Sequence, residues 1–256
     1  MKNGIIWVML FAIAGFVEAE ELVLGEVDYP PGKLPYRLLL PDGIESGEKF
    51  PLVICLHGGG GKGTDNQGAG CEAMTVLSRP DVQKEHPAIL LMPQCPEEAK
   101  WVSMVWDEHD RKLGGYNFKN TNTTDQMTAV HSLALEVIKK YPVDEERVYV
   151  TGQSMGGMGT WYMVMRWPEL FAAAIPVCGV GDPRMAEAIK EVPIRTFHGA
   201  LDKKIPPETT RAMVKALERV EADVTYIEYP EVPHSSWRPA WEDPETIKWL
   251  FEQKKN

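Results

Sequence analysis

Apolar positions gather in short runs along the chain, at residues 34–40, 51–56, 88–92, 147–151, 172–177, 193–197 and 224–229, and most runs are apolar throughout rather than alternating. A strand with one wet face alternates, whereas a strand apolar on both faces belongs to a sheet covered on both sides. Between the runs the period becomes helical. Met127, Val130, Ala134, Leu135 and Ile138 fall at helical spacing, with Thr124 and Asp125 as candidate caps and Pro142 as the stop. Met213, Leu217 and Val220 repeat the pattern after Pro206-Pro207, and Ile247, Leu250 and Phe251 predict a closing helix. Strand and helix in alternation predict an α/β fold: a mostly parallel, doubly wound sheet with helices on both faces. No repeat, linker or compositional break divides residues 20–256, which are expected to form one domain. Residues 97–122 break the rhythm. They hold Trp101, Trp106, the acidic Asp107, Glu108 and Asp110, and Gly114-Gly115, and a loop of this length in a compact domain is often a functional insertion.

The first apolar run, residues 5–16, follows Lys2 and precedes Val17-Glu18-Ala19, which has small residues at the two positions a signal peptidase reads. Residues 1–19 are therefore expected to be a signal peptide cleaved after Ala19. The run is shorter than the roughly 20 residues a spanning helix needs, so no stable membrane insertion is expected after cleavage, and the mature protein is expected to be secreted or periplasmic. With 27 Lys+Arg against 37 Asp+Glu, the formal net charge is −10, which argues against a nucleic-acid partner. Hydrophobic residues at 44% and charged residues at 25% argue against disorder. Export permits disulfides. Cys55 and Cys178 sit in core-like runs as buried thiols, while Cys71 and Cys95 lie in loop-like context as candidates for a pair. No cysteine or histidine spacing suggests a metal site.

The chemistry centres on Gly152-Gln153-Ser154-Met155-Gly156, between a predicted strand and a predicted helix ending near Trp167. This is a nucleophile elbow in its required context. A serine in a tight turn needs neighbours without bulk, and it lies at a helix end that favours developing negative charge. The serine also needs a base, held in one tautomer by an acid, in the chain order Ser, Asp/Glu, His. Only His198 and His234 lie downstream. His234, in a loop after the last strand, is assigned as general base, and His198, at a strand end, as a packing residue. Asp202, in the tight loop after that strand, is the acid, with Asp182 as its competitor. An oxyanion needs two backbone N–H donors. One is expected from Met155, the other from Gly59 or Gly60 in Leu56-His57-Gly58-Gly59-Gly60-Gly61, and the sequence leaves that choice open. The glycines match neither a P-loop nor a dinucleotide fingerprint.

These segments, together with Ala88 through Pro96 and His198-Gly199-Ala200-Leu201-Asp202, resemble the landmarks of the α/β-hydrolase superfamily, in order, over most of the chain from about Pro30. More narrowly, the chain is similar to secreted single-domain serine esterases of the dienelactone hydrolase, feruloyl and acetylxylan esterase and polyhydroxybutyrate-depolymerase-like groups. It is also similar to prolyl-oligopeptidase catalytic domains, though the several hundred residues of their N-terminal propeller are not expected here, which weighs against peptidase activity. The resemblance implies Ser154, Asp202 and His234 as the triad, in agreement with the residues. The expectation is a serine carboxylic-ester hydrolase needing no cofactor or metal, whose partner is a small-molecule or polymer-linked ester. The alternatives are a serine peptidase or amidase and a non-catalytic binding protein of the same fold. Trp101, Trp106 and Trp237 are candidate substrate contacts, with packing as the competing role; the acidic loop reads as solvated. The oligomeric state is not legible.

Overall fold

The computed structural model describes residues 21–30, 32–66, 71–103, 118 and 122–255. The expected leader, residues 1–19, and much of the 97–122 segment, including Trp106, lie outside the described residues.

The strand β3 (Phe50–Leu56) shows why the apolar runs carry no alternation: every residue of FPLVICL is buried. Leu52, Ile54 and Leu56 join one core and Val53 and Cys55 the other. The same partition holds on β4 (Ile89–Pro93), where Ile89 and Leu91 face one way and Leu90 and Met92 the other, and on β5 (Val143–Gln153). The first core is closed by α3 (Asp125–Lys140), α4 (Met155–Arg166) and α5 (Pro207–Arg219); the second by α1 (Glu72–Leu77), α2 (Pro80–Glu85), α6 (Trp237–Glu242) and α7 (Pro244–Glu252).

With β1 (Glu21–Tyr29), β2 (Gly32–Leu40), β6 (Ala173–Val177), β7 (Ile194–Gly199) and β8 (Val224–Tyr229), the strands form one eight-stranded sheet in the order β1-β2-β4-β3-β5-β6-β7-β8. β2 is antiparallel to both neighbours, β1 and β4, and every other pair is parallel. The C-terminal ends of β3, β5 and β7 therefore point the same way, which is where open α/β sheets gather ligands.

The differences from expectation are local. β1 lies outside the expected strands: burial alternates along this edge strand, but two of its outward positions are Leu22 and Leu24, 50% and 52% exposed, so the sequence shows neither a continuous apolar run nor a polar–apolar alternation. The helices α1, α2 and α6 have six residues each, too few to show a period. In α3 the Thr124 hydroxyl caps as expected, accepting from the Met127 N–H at 3.2 Å. Leu135, expected on the inward stripe, is 46% exposed, while Leu133 and Val137 are buried. At about 100° per residue, Leu133 and Leu135 lie on opposite flanks of Ala134, and the core covers the Leu133 side.

All four cysteines are free and buried. Cys71 and Cys95, the expected candidates for pairing, belong to different cores. The Cys71 thiol lies against that of Cys55 instead.

Candidate active site

β5 runs straight into α4 through a single residue. Ser154 takes φ 56° and ψ −116°, a left-handed backbone that non-glycine residues rarely adopt, and α4 begins at Met155. The strained turn is pinned from several sides. The Ser154 N–H donates to the Val177 carbonyl at 2.9 Å, the Met158 N–H donates to the Ser154 carbonyl at 3.0 Å, and Gln153 Oε1 accepts from the Glu72 N–H at 2.9 Å. The flanking glycines are required by close approach. A Cβ at Gly152 would stand 2.5 Å from the Leu56 carbonyl oxygen, one at Gly156 only 1.9 Å from the same atom, and one at Gly157 2.4 Å from the Val177 carbonyl oxygen. The N–H of Met155, in the first helical turn, has no carbonyl four residues back within α4, so it is available to a ligand.

The residues predicted as nucleophile, base and acid are brought together. His234 Nε2 lies 2.8 Å from Ser154 Oγ and its Nδ1 2.6 Å from Asp202 Oδ2, although 80 and 32 residues separate the partners in sequence. The carboxylate dictates the tautomer: Nδ1–H donates to Asp202, leaving Nε2 to accept from the serine hydroxyl. Asp202 is held on its other oxygen, Oδ1, by the N–H groups of Lys204 and Ile205 at 2.8 and 3.0 Å. Burial pushes the Asp202 carboxyl up, but the His234 imidazole and these two N–H groups together bring it below the ordinary carboxylate value. Gly199 lets the His234 loop settle over the end of β7, because a Cβ there would stand 2.2 Å and 2.3 Å from the carbonyl oxygens of Val232 and Pro233. Trp237 meets the His234 ring edge-on at 5.3 Å.

Behind the glycine loop a second histidine, which sequence reasoning left without a role, sets the backbone. His57 is buried; its Nε2 accepts from the Cys95 N–H at 2.9 Å, so its Nδ1–H donates to the Gly58 carbonyl at 2.7 Å. Burial lowers its pKa and keeps the ring neutral. Trp101 props the same turn, donating from Nε1 to the His57 carbonyl at 3.0 Å. Expected near substrate, Trp101 is instead fully buried, its indole against His57 and its Cβ beside Gly159 of α4.

A cavity of about 260 Å³ opens beside Ser154 and Met155. Gly59, Lys62, Lys100, Val102 and Met158 complete its lining; Gly60 does not line it. Met158 was discoverable from sequence as the residue one helical turn after Ser154. Asp182, the competing acid, is fully buried elsewhere and holds the Arg184 guanidinium at 2.8 Å and the Phe118 N–H at 2.8 Å. Among the described residues, Cys178, Asp202 and His234 have donor atoms within 4.8 Å of one another, a spacing a metal could use. Both carboxylate oxygens are already taken by N–H donors, so the group works as a hydrogen-bonded set.

Residues 111–196 match the Prolyl oligopeptidase family. A solved thermostable esterase is 39% identical, covering 91% of this chain and 63% of its own, with a TM-score of 0.81. Feruloyl esterase B of Neurospora crassa is 27% identical over 163 residues, 64% of this chain and 50% of that protein. A protein of Aspergillus terreus named "Probable acetylxylan esterase A" is 30% identical over 133 residues, 50% of this chain and 38% of its own length. The chain thus spans half or less of these curated relatives.

Proposed function

We propose, from a chain that has the α/β-hydrolase fold and resembles esterases within it, that the protein is a serine carboxylic-ester hydrolase. The observation that carries this reading is the continuous line from Ser154 Oγ through His234 to Asp202, at 2.8 and 2.6 Å, at the mouth of a cavity. Ser154 attacks the ester carbonyl as His234 Nε2 takes its proton, and the imidazolium is held by Asp202. The tetrahedral oxyanion is met by the N–H of Met155 and of Gly59, the glycine of the two candidates that lines the cavity. Collapse breaks the ester C–O bond, and the alkoxide takes the proton from His234, leaving an acyl-Ser154. Water then gives a proton to His234 and attacks the acyl carbon, and Ser154 recovers its proton as the acid departs.

The finer reading is an ester of an acylated carbohydrate or another polymer-derived acyl ester, in keeping with the names of the feruloyl and acetylxylan esterase relatives. Export after cleavage at Ala19 belongs to the same proposal and is checked by N-terminal sequencing of the processed protein. Ser154→Ala should abolish hydrolysis of short p-nitrophenyl esters and labelling by a fluorophosphonate probe without loss of folding; full retained activity refutes the assignment.

One observation favours a second reading. The match to the Prolyl oligopeptidase family is consistent with a peptidase or amidase using the same triad. Esters profiled against peptide amides on the same preparation separate the two.

A further inference from the structure

A second imidazole touches the carboxylate of Asp202. His198, at the end of β7, is fully buried; its Nε2 lies 3.2 Å from Asp202 Oδ2 and 3.0 Å from the Ile205 carbonyl oxygen. An ionised carboxylate and a carbonyl only accept, so Nε2 carries the hydrogen. On the other side of the ring, Nδ1 lies 2.8 Å from Thr210 Oγ1 of α5, which is also 3.2 Å from the Gly179 carbonyl oxygen. In the neutral ring Nδ1 accepts, and the Thr210 hydroxyl is the donor that fits. Burial lowers the pKa of His198, which favours this neutral form. The charged and titratable groups around it are Asp202 in the loop that follows β7, Glu228 opposite on β8, His234 beyond the carboxylate, and Cys178 at the end of β6. Glu228 is itself engaged by Arg211 at 2.6 and 2.8 Å.

Proton transfer through His234 needs one imidazole donor on Asp202, and here two share a single oxygen, Oδ2. We propose that His198 is a positioning residue for ester hydrolysis, fixing the Asp202 carboxylate and dividing the charge of Oδ2 between two imidazoles, so that it sets the acid limb of the reaction. This rests on the hydrolase reading above. A donor on Oδ2 weakens the pull of Asp202 on the imidazolium form of His234. Removing it leaves that form better stabilised, so His234 is protonated, and lost as a base, at higher pH.

The test is the pH profile of kcat/KM for p-nitrophenyl acetate. In His198→Met the acid limb should move up by several tenths to about one pH unit, and kcat should fall about tenfold with KM little changed. His198→Gln, whose side-chain N–H can take the place of Nε2–H, should keep the limb near wild type. A folded Met variant whose limb is unmoved or displaced to lower pH overturns the proposal, since a packing role would alter the melting temperature without moving the limb. If the Met variant does not fold, histidine 15N NMR of the wild type decides. His198 must be protonated at Nε2, and that signal must shift when Ser154 is phosphonylated; an Nδ1–H tautomer or a silent signal overturns the claim. Wild-type protein that neither hydrolyses esters nor labels at Ser154 sinks the hydrolase reading itself, an outcome distinct from either of these.

Discussion

Adding one methyl group at Gly156 puts a Cβ 1.9 Å from the Leu56 carbonyl oxygen, 2.6 Å from its carbon and 2.8 Å from the His57 carbonyl oxygen. None of these atoms belongs to a flexible side chain. Leu56 ends β3 in register with Gly152, and the His57 carbonyl is held by the Trp101 indole. Ordinary contact therefore requires α4 and the end of β3 to part by roughly 1.5 Å. That movement separates Met155 from Gly59, the two proposed oxyanion donors, and shifts Ser154 relative to His234. Displacement of this order in a catalytic constellation costs about 100-fold or more in rate. Overpacking of this kind costs about 1–3 kcal/mol, with about 2–4 °C of melting temperature per kcal/mol for a domain of this size. Gly156→Ala should thus lower kcat/KM for p-nitrophenyl acetate at least 100-fold and melt several degrees early by calorimetry. Gly32→Ala, where a Cβ meets nothing within 4 Å, should be silent in both assays. A Gly156→Ala protein with wild-type rate and melting temperature would refute the account of the elbow.

Asp202→Asn should leave the serine in place but unsettle the His234 tautomer, lowering kcat about 10⁴-fold with little change in KM. The Asp202 carboxyl titrates below its ordinary value in the fold, so its stabilising contribution is complete above the ordinary carboxylate pKa, near pH 4, and is lost as pH falls through the folded value. The melting-temperature gap between wild type and Asp202→Asn should therefore be widest near neutrality and close in acid; a gap independent of pH contradicts this. Burial pushes the Cys95 and Cys178 thiols up to about 12, so both should resist iodoacetamide in the native protein at pH 8. Denatured, unreduced protein should then release four thiols to Ellman's reagent, and fewer would mean that a disulfide exists. Met158→Ala enlarges the cavity beside Ser154, and the kcat/KM ratio of butyrate to acetate ester should rise about tenfold; an unchanged ratio would place the acyl group elsewhere.

The architecture was legible where burial on both faces left a continuous apolar signature, as in β3 and β4, and where helices were long enough to show a period, as in α3 and α5. It was illegible where elements were short or wet on one face: the alternating edge strand β1 and the six-residue helices. The inward side of α3 was likewise decided by the surface it packs on, which is why Leu133 is buried and Leu135 is not.

The elbow and the order of Ser154, Asp202 and His234 are written in the chain, because a strand–turn–helix with paired glycines is a local constraint and the base and acid candidates were few. Sequence could not show Trp101 propping a backbone turn, give His57 a task, or bring His198 onto the oxygen that His234 already uses. Those are relations between segments tens of residues apart. They arise only when parallel strands bring their C-terminal ends together and distant loops compete for the same few ångströms of space and the same acceptor atoms.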